Sequence, residues 1–241
     1  MKKKISYISL LPVNIAILTV VVLLAIVGNK VITVLTVNAP VTERKTFVID
    51  AGHGGVDGGT TSCTGVLESQ YNLEIALRLN DIMHLLGMDT LLIRDTDCSV
   101  YTEGDTIAQK KISDLKERVR IVNSTENAVL ISIHQNYFQD SRYHGAQVFF
   151  GPSNGSEQFA AALQDALRKN LDPDNHRQIK KADGIYLMQK IQCPGALIEC
   201  GFLSNLAEEA LLRNPEYQKN ISAVIACICS TAFQGQNENR I

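Results

Sequence analysis

The chain has 241 residues, 45% of them hydrophobic, with 16 Gly, 6 Pro and no Trp. That is enough for one sizeable core and an appendage; the aliphatic content excludes a disordered chain, the lack of a Gly-X-Y period excludes collagen, and a single long apolar run excludes a multi-span membrane protein. Lys and Arg number 23 against 25 Asp and Glu, but Lys2, Lys3, Lys4 and Lys30 fall in the first thirty residues, which hold no acid, so the remainder carries 19 bases and 25 acids and, at −6, has no general attraction to nucleic acid.

From Ile5 to Val27 the chain is almost wholly apolar behind a Lys-Lys-Lys cluster. As a helix this run is about 34 Å long, enough for a hydrocarbon core of roughly 30 Å. Residues 1–28 are therefore expected to be an N-terminal membrane anchor, with a cleaved signal as the alternative, and the lysine bias places everything after residue 30 outside the cytoplasm. Residues 29–45 read as a linker, 46–234 as one catalytic domain and 235–241 as a tail.

Within the domain, short runs rich in Val, Ile, Leu and Phe alternate with amphipathic segments. Strands are expected at Thr46–Asp50, Asp89–Arg94, Ala128–His134, Ala146–Phe150, Gly184–Gln189 and Gly195–Cys200. Helices are expected at Ser69–Leu86, Ser113–Ser124, Ser156–Asn170, Asn205–Arg213 and Pro215–Phe233. This alternation predicts an α/β fold, a single twisted, mixed and mostly parallel sheet flanked by helices, with its site at the carboxyl ends of strands.

Three strand ends carry chemistry. Phe47-Val-Ile-Asp-Ala-Gly runs into His53, Leu130-Ile-Ser-Ile into His134, and Ala196-Leu-Ile into Glu199. Neighbouring strand ends converge, and two imidazoles with a carboxylate and one open position make a catalytic zinc site, a further carboxylate nearby taking a proton from water. Glu68 and Glu74 compete for the ligating carboxylate. The glycines around His53 do not form a phosphate cradle, because Asp57 stands where G-x-G-x-x-G needs its third glycine. His84, His144 and His176 read as structural or solvated. The six cysteines show no framework spacing, and most are expected to be small buried hydrophobes.

His53-Gly-Gly-x-Asp57-x-Gly59, Ser132-Ile-His134-x-Asn136 and Ile198-Glu199-x-Gly201-Phe202-Leu203-Ser204-Asn205 resemble, in order and spacing, the zinc-dependent N-acetylmuramoyl-L-alanine amidases of the type 3 family. The resemblance covers about residues 46–234 and implies that His53, Glu68 and His134 hold Zn2+ and that Glu199 is the catalytic carboxylate. Asp57 and Asn136 become candidates for orienting a ligand or the substrate, and Gln135 stands where the family often has a small residue. The implied activity is hydrolysis of the amide between N-acetylmuramic acid and L-alanine in peptidoglycan. The short layout without wall-binding modules most resembles the spore-cortex members, whose product leads to the muramic δ-lactam needed for germination. The alternatives are a zinc carboxypeptidase or endopeptidase and a catalytically silent wall-binding protein. Only 65 positions separate His134 from Glu199, which leaves little room for a built-in plug, so control is expected from outside, including an activating membrane-surface lipoprotein.

Overall fold

Alternation along the strands decides how the layers form. In the computed structural model, which describes residues 44–233, strand β1 (Thr46–Ala51) sends Phe47, Ile49 and Ala51 into one core cluster and Val48 into another. Strand β3 (Ala128–Asn136) does the same, with Val129, Ile131 and Ile133 on the first face and Leu130 on the second. Both faces are thus covered, as the continuous apolar runs require.

Six strands form one sheet in the order β2-β1-β3-β6-β4-β5, with β2 at Asp89–Leu92, β4 at Gln147–Phe150, β5 at Lys180–Lys181 and β6 at Gly195–Phe202. All pairings are parallel except β4 with β6. The mixed, mostly parallel sheet is the one the sequence leads to expect.

Helices α1 (Glu68–Leu85), α3 (Ser156–Leu171) and α6 (Pro215–Ala232) supply Ile75, Leu79, Phe159, Leu163, Ile221 and Ile225 to the larger core. Helices α2 (Ile107–Ser124) and α4 (Tyr186–Lys190) cover the other face through Val122, Leu187 and Met188. Helix α5 (Leu206–Leu212) follows β6 and is capped by Asn205, whose side chain accepts from the N–H groups of Ala207 and Glu208.

Three expectations need correction. Gly184–Gln189 is not a strand: residues 186–190 form α4, and the strand there is the two-residue β5 just upstream. Leu187 and Met188, with Ile191 four residues after Leu187, bury together against the sheet, and so short an apolar run has no period that separates strand from helix. Helix α2 begins six residues before Ser113, because Thr106 and Gln109 form a reciprocal capping box. Of the cysteines, all free, only Cys200 and Cys229 are buried. Cys227 is exposed on α6, since two helical positions turn it away from the core that Cys229 enters.

The expected anchor, the linker up to residue 43, residue 234 at the end of the expected domain and the tail 235–241 lie outside the described residues. Among the described residues no helix is long and apolar enough to cross a membrane.

Candidate functional site

The second face of the sheet, covered by α2 and α4, becomes polar at its carboxyl end. There β1 presents Asp50, β3 presents Ser132 and His134, and β6 presents Glu199, each two residues after an apolar residue of the smaller core or continuing its parity. His134 and Glu199 are direct partners in the β3–β6 ladder.

His53 enters from the loop after β1 with a left-handed backbone, φ 61°, a conformation that a non-glycine residue adopts only when its surroundings hold it there. The surroundings are plain. The backbone bridge between Gly54 and Asp57 closes the turn, and Arg118 donates to the His53 carbonyl at 2.7 Å. Arg94 binds the carbonyls of Ala51 at 2.8 Å and Gly52 at 3.0 Å. Arg118 is itself fixed by ion pairs to Asp50 and to Asp114, the latter at 2.6 Å, and Ser132 donates to Asp50 at 2.6 Å. Burial alone would push the Asp50 carboxyl up, but Arg118, His134 and Ser132 hold it below the usual carboxylate range.

Glu68, the first residue of α1, points into the same space and is buried. Its Oε1 accepts from the Gln135 N–H at 3.2 Å and from Asn72 Nδ2 at 3.3 Å, and its Oε2 accepts from the Thr60 N–H at 3.1 Å. His134 Nδ1 is 3.0 Å from Glu68 Oε1, and His53 Nε2 is 3.3 Å from Oε2. One ligand atom from each of His53, Glu68 and His134 lies within 4.8 Å of the others. Against burial, which would raise it, the two imidazoles keep Glu68 ionised far below its ordinary range. Burial likewise opposes a charge on His53, yet Asp57 and Glu68 outweigh it and lift the imidazole to about 9. The field at the cluster therefore favours a cation.

Asp57 fixes the ring of His53: Oδ2 stands 2.9 Å from Nδ1, which directs Nε2 at Glu68, while Lys111 of α2 pairs with Oδ1 at 2.7 Å. Glu199 completes the constellation. Burial pushes its carboxyl up to about 7, Glu68 adding to the rise while His134 and His53 oppose it. Its Oε2 is buried without a hydrogen-bond partner among the described residues. A carboxylate is not left so unless something else is meant to meet it. Two imidazoles, a buried carboxylate and an orphaned carboxylate oxygen fit a zinc ion and its reacting water.

Among the residues expected from sequence, His53, Glu68, His134, Glu199 and Asp57 therefore come together. Asn136 does not join them by any side-chain hydrogen bond among the described residues; it sits at a register shift opposite Phe202, its carbonyl accepting from the Leu203 N–H at 2.8 Å. Glu74 lies elsewhere, accepting from Gln218 of α6 at 2.7 Å. His84 and His144 are exposed, bonded to Thr90 and Asp172, and His176 is exposed. Sequence reasoning missed Lys111, Asn72 and the Asp50–Arg118–Asp114 chain. Gln135, noted only as unusual, is buried, and its Nε2 donates to Asn72 Oδ1 at 3.2 Å.

Comparison with known proteins finds relatives over most of the described residues. Residues 47–228 match the family model described as N-acetylmuramoyl-L-alanine amidase. The germination-specific N-acetylmuramoyl-L-alanine amidase of Bacillus subtilis (strain 168) is 39% identical over 183 residues, which is 75% of this chain and 76% of the relative. The CwlD amidase of Clostridioides difficile, solved in complex with the GerS lipoprotein, is similar with a TM-score of 0.76 and 35% identity over 79% of this chain and 99% of that one. The N-acetylmuramoyl-L-alanine amidase of Clostridium difficile 630 follows with a TM-score of 0.70 and 25% identity, covering 80% of this chain and 98% of the other.

Proposed function

Since the chain belongs to the N-acetylmuramoyl-L-alanine amidase family, we propose that it hydrolyses the amide joining N-acetylmuramic acid to the L-alanine of the stem peptide in peptidoglycan. The observation that carries this reading is the juxtaposition of the His53, Glu68 and His134 cluster with Glu199, the ladder partner of His134. His53, Glu68 and His134 would hold zinc, which when bound supplies Lewis acidity toward the amide carbonyl and acidifies the attacking water.

The chain's own residues do the rest. Glu199 accepts the proton of the attacking water and returns it to the departing alanine nitrogen, a role suited to a carboxyl poised at about 7. Asp57 keeps Nε2 of His53 turned inward, and Asn72, Gln135 and the Thr60 N–H hold both oxygens of Glu68 in place. Arg118 and Arg94 clamp the loop that carries His53.

A relative named as germination-specific supports a role in germination, with cortex peptidoglycan as the substrate on the way to muramic δ-lactam as the sequence resemblance implies, and a relative solved in complex with a lipoprotein supports a lipoprotein as partner. The apolar run Ile5–Val27 favours attachment to the membrane with the domain outside the cytoplasm. The test is to digest purified peptidoglycan with the zinc-loaded full chain in detergent and weigh the fragments. Free stem peptides beginning with alanine, and muramic acid left unsubstituted, are expected. Release of single amino acids would identify a carboxypeptidase instead, and no release would leave a binding protein.

A further inference from the structure

His134, Glu199 and Gln147 lie side by side on β3, β6 and β4, each the direct ladder partner of the next. Adjacent strands are about 4.8 Å apart, so this row crosses the end of the sheet over roughly 10 Å. Gln147 is buried, and the row continues through it: its Oε1 accepts from Arg177 Nη1 at 3.1 Å, and its Nε2 donates to the Gln178 carbonyl at 2.8 Å.

Arg177 is held on every side but one. Its Nε donates to the His144 carbonyl at 2.8 Å. Its guanidinium carbon lies 4.4 Å from the ring centre of Phe202 and 5.7 Å from that of Tyr143, so the planar group is stacked rather than free. Among the described residues no carboxylate pairs with it. Of the acids nearby, three are engaged: Asp140 with Arg142 at 2.7 Å, Asp172 with His144 at 3.3 Å, and Glu208 with the N–H groups of Gly145 at 2.9 Å and Phe202 at 2.8 Å; Asp174, which lines the same cleft, is exposed and makes no ion pair with Arg177. Arg177, with no carboxylate in direct contact, therefore presents an immobilised cation to a cleft of about 530 Å³ that Asp140, Arg142, Tyr143, His144 and Asp174 also line.

Resting on the amidase reading, we propose that Arg177 anchors a substrate subsite, one strand beyond Glu199, that takes a carboxylate on the peptide side of the scissile amide. A fixed guanidinium plane recognises a carboxylate through paired N–H donors. The lactyl acid of the sugar is the acyl half of the amide being cut and the rest of the glycan is neutral, so the anion has to come from the peptide. At about 3.3 Å per extended residue, the row spans roughly three residues, and an acidic side chain one or two residues after the alanine reaches it.

The experiment compares two soluble substrates, N-acetylmuramoyl-L-alanyl peptides with either a free carboxylate or its carboxamide at the residue after alanine. For the zinc-loaded full chain, kcat/KM is expected to favour the carboxylate by at least about tenfold, the size of one charge-assisted hydrogen-bonded contact. R177M brings that ratio to about one, and R177K, which keeps the charge without the stacked fork, falls between. No preference in the wild type, or a preference that survives R177M, overturns the subsite. If R177M fails to fold, R177K and the loss of the wild-type preference on raising salt decide it. Failure of the amidase reading is separately visible as no cleavage of either substrate; the subsite is then judged by whether the free acidic peptide binds better than its amide, and whether R177M removes the difference.

Discussion

Gly52 and the imidazole of His134 pack so closely that a Cβ at position 52 would stand 2.2 Å from Nε2 and 2.3 Å from Cε1. Glycine is needed there for proximity, and the ring it packs against is the one facing Glu68. G52A is therefore expected to turn His134 off its partner and to weaken zinc binding by about 10- to 100-fold, as displaced supporting groups around metals do. Competition with a chelator measures this. Unchanged affinity would mean that His134 is not a ligand.

Asp57 stands between Lys111 and His53. D57N keeps the shape but removes the charge that fixes the ring, so zinc affinity is expected to fall by about tenfold or more. K111M removes a half-exposed partner one step further out and is expected to act less. If K111M proved the more damaging of the two, the line of support would run some other way.

E199Q separates holding the metal from using it. The amide cannot take a proton from water, so turnover is expected to fall by about 10²- to 10⁴-fold. Zinc content and the melting temperature should hold, because Oε2 has no protein partner to lose. Loss of zinc in E199Q would place the residue among the ligands.

Asp50 supplies a pH dependence with a definite sign. Its carboxyl is held below the ordinary value of 3.8, so it contributes stability that is fully present above that pH and lost as pH falls through the depressed value. In D50N this contribution is gone, and the decline of unfolding free energy below about pH 4 should be shallower than in the wild type. Urea titrations from pH 3 to 6 show it. R118M should cost about 3–5 kcal/mol at neutral pH, since it leaves Asp50 buried and charged without its partner. A wild-type acid slope in D50N would assign the acid sensitivity to other carboxylates.

What the sequence revealed and what it hid divide along a physical line. The convergence of His53, Glu68, His134 and Glu199 was legible because each lies in the carboxyl-terminal half of a strand, just after a strand or at the start of a helix, where local pattern and motif coincide. Arg118 and Lys111 were not. Both lie on α2, whose first turn depends on the Thr106 capping box rather than on apolar spacing, and both act on residues more than fifty positions away. Asn136 shows the reverse. Its motif position pointed to the site, but the register shift beside it changes the pairing from His134↔Glu199 to Asn136↔Phe202. The helix at 186–190 escaped because five residues do not display a period.

The one antiparallel pairing, β4 against β6, reverses which connections face the site. In an all-parallel sheet only the segments leaving the strands would border it. Here β4 and β5 both enter the sheet at the end where β3 and β6 leave it, so residues 137–146, which run from β3 into β4 without crossing the sheet, and residues 172–179, which lead into β5, rim the site beside the loop that leaves β1. Neither contains a residue of the His53, Glu68 and His134 cluster. Insertions and deletions in these two segments can reshape what is admitted while the chemistry stays fixed, which makes them the natural places for grafting loops between relatives to exchange their substrate preferences.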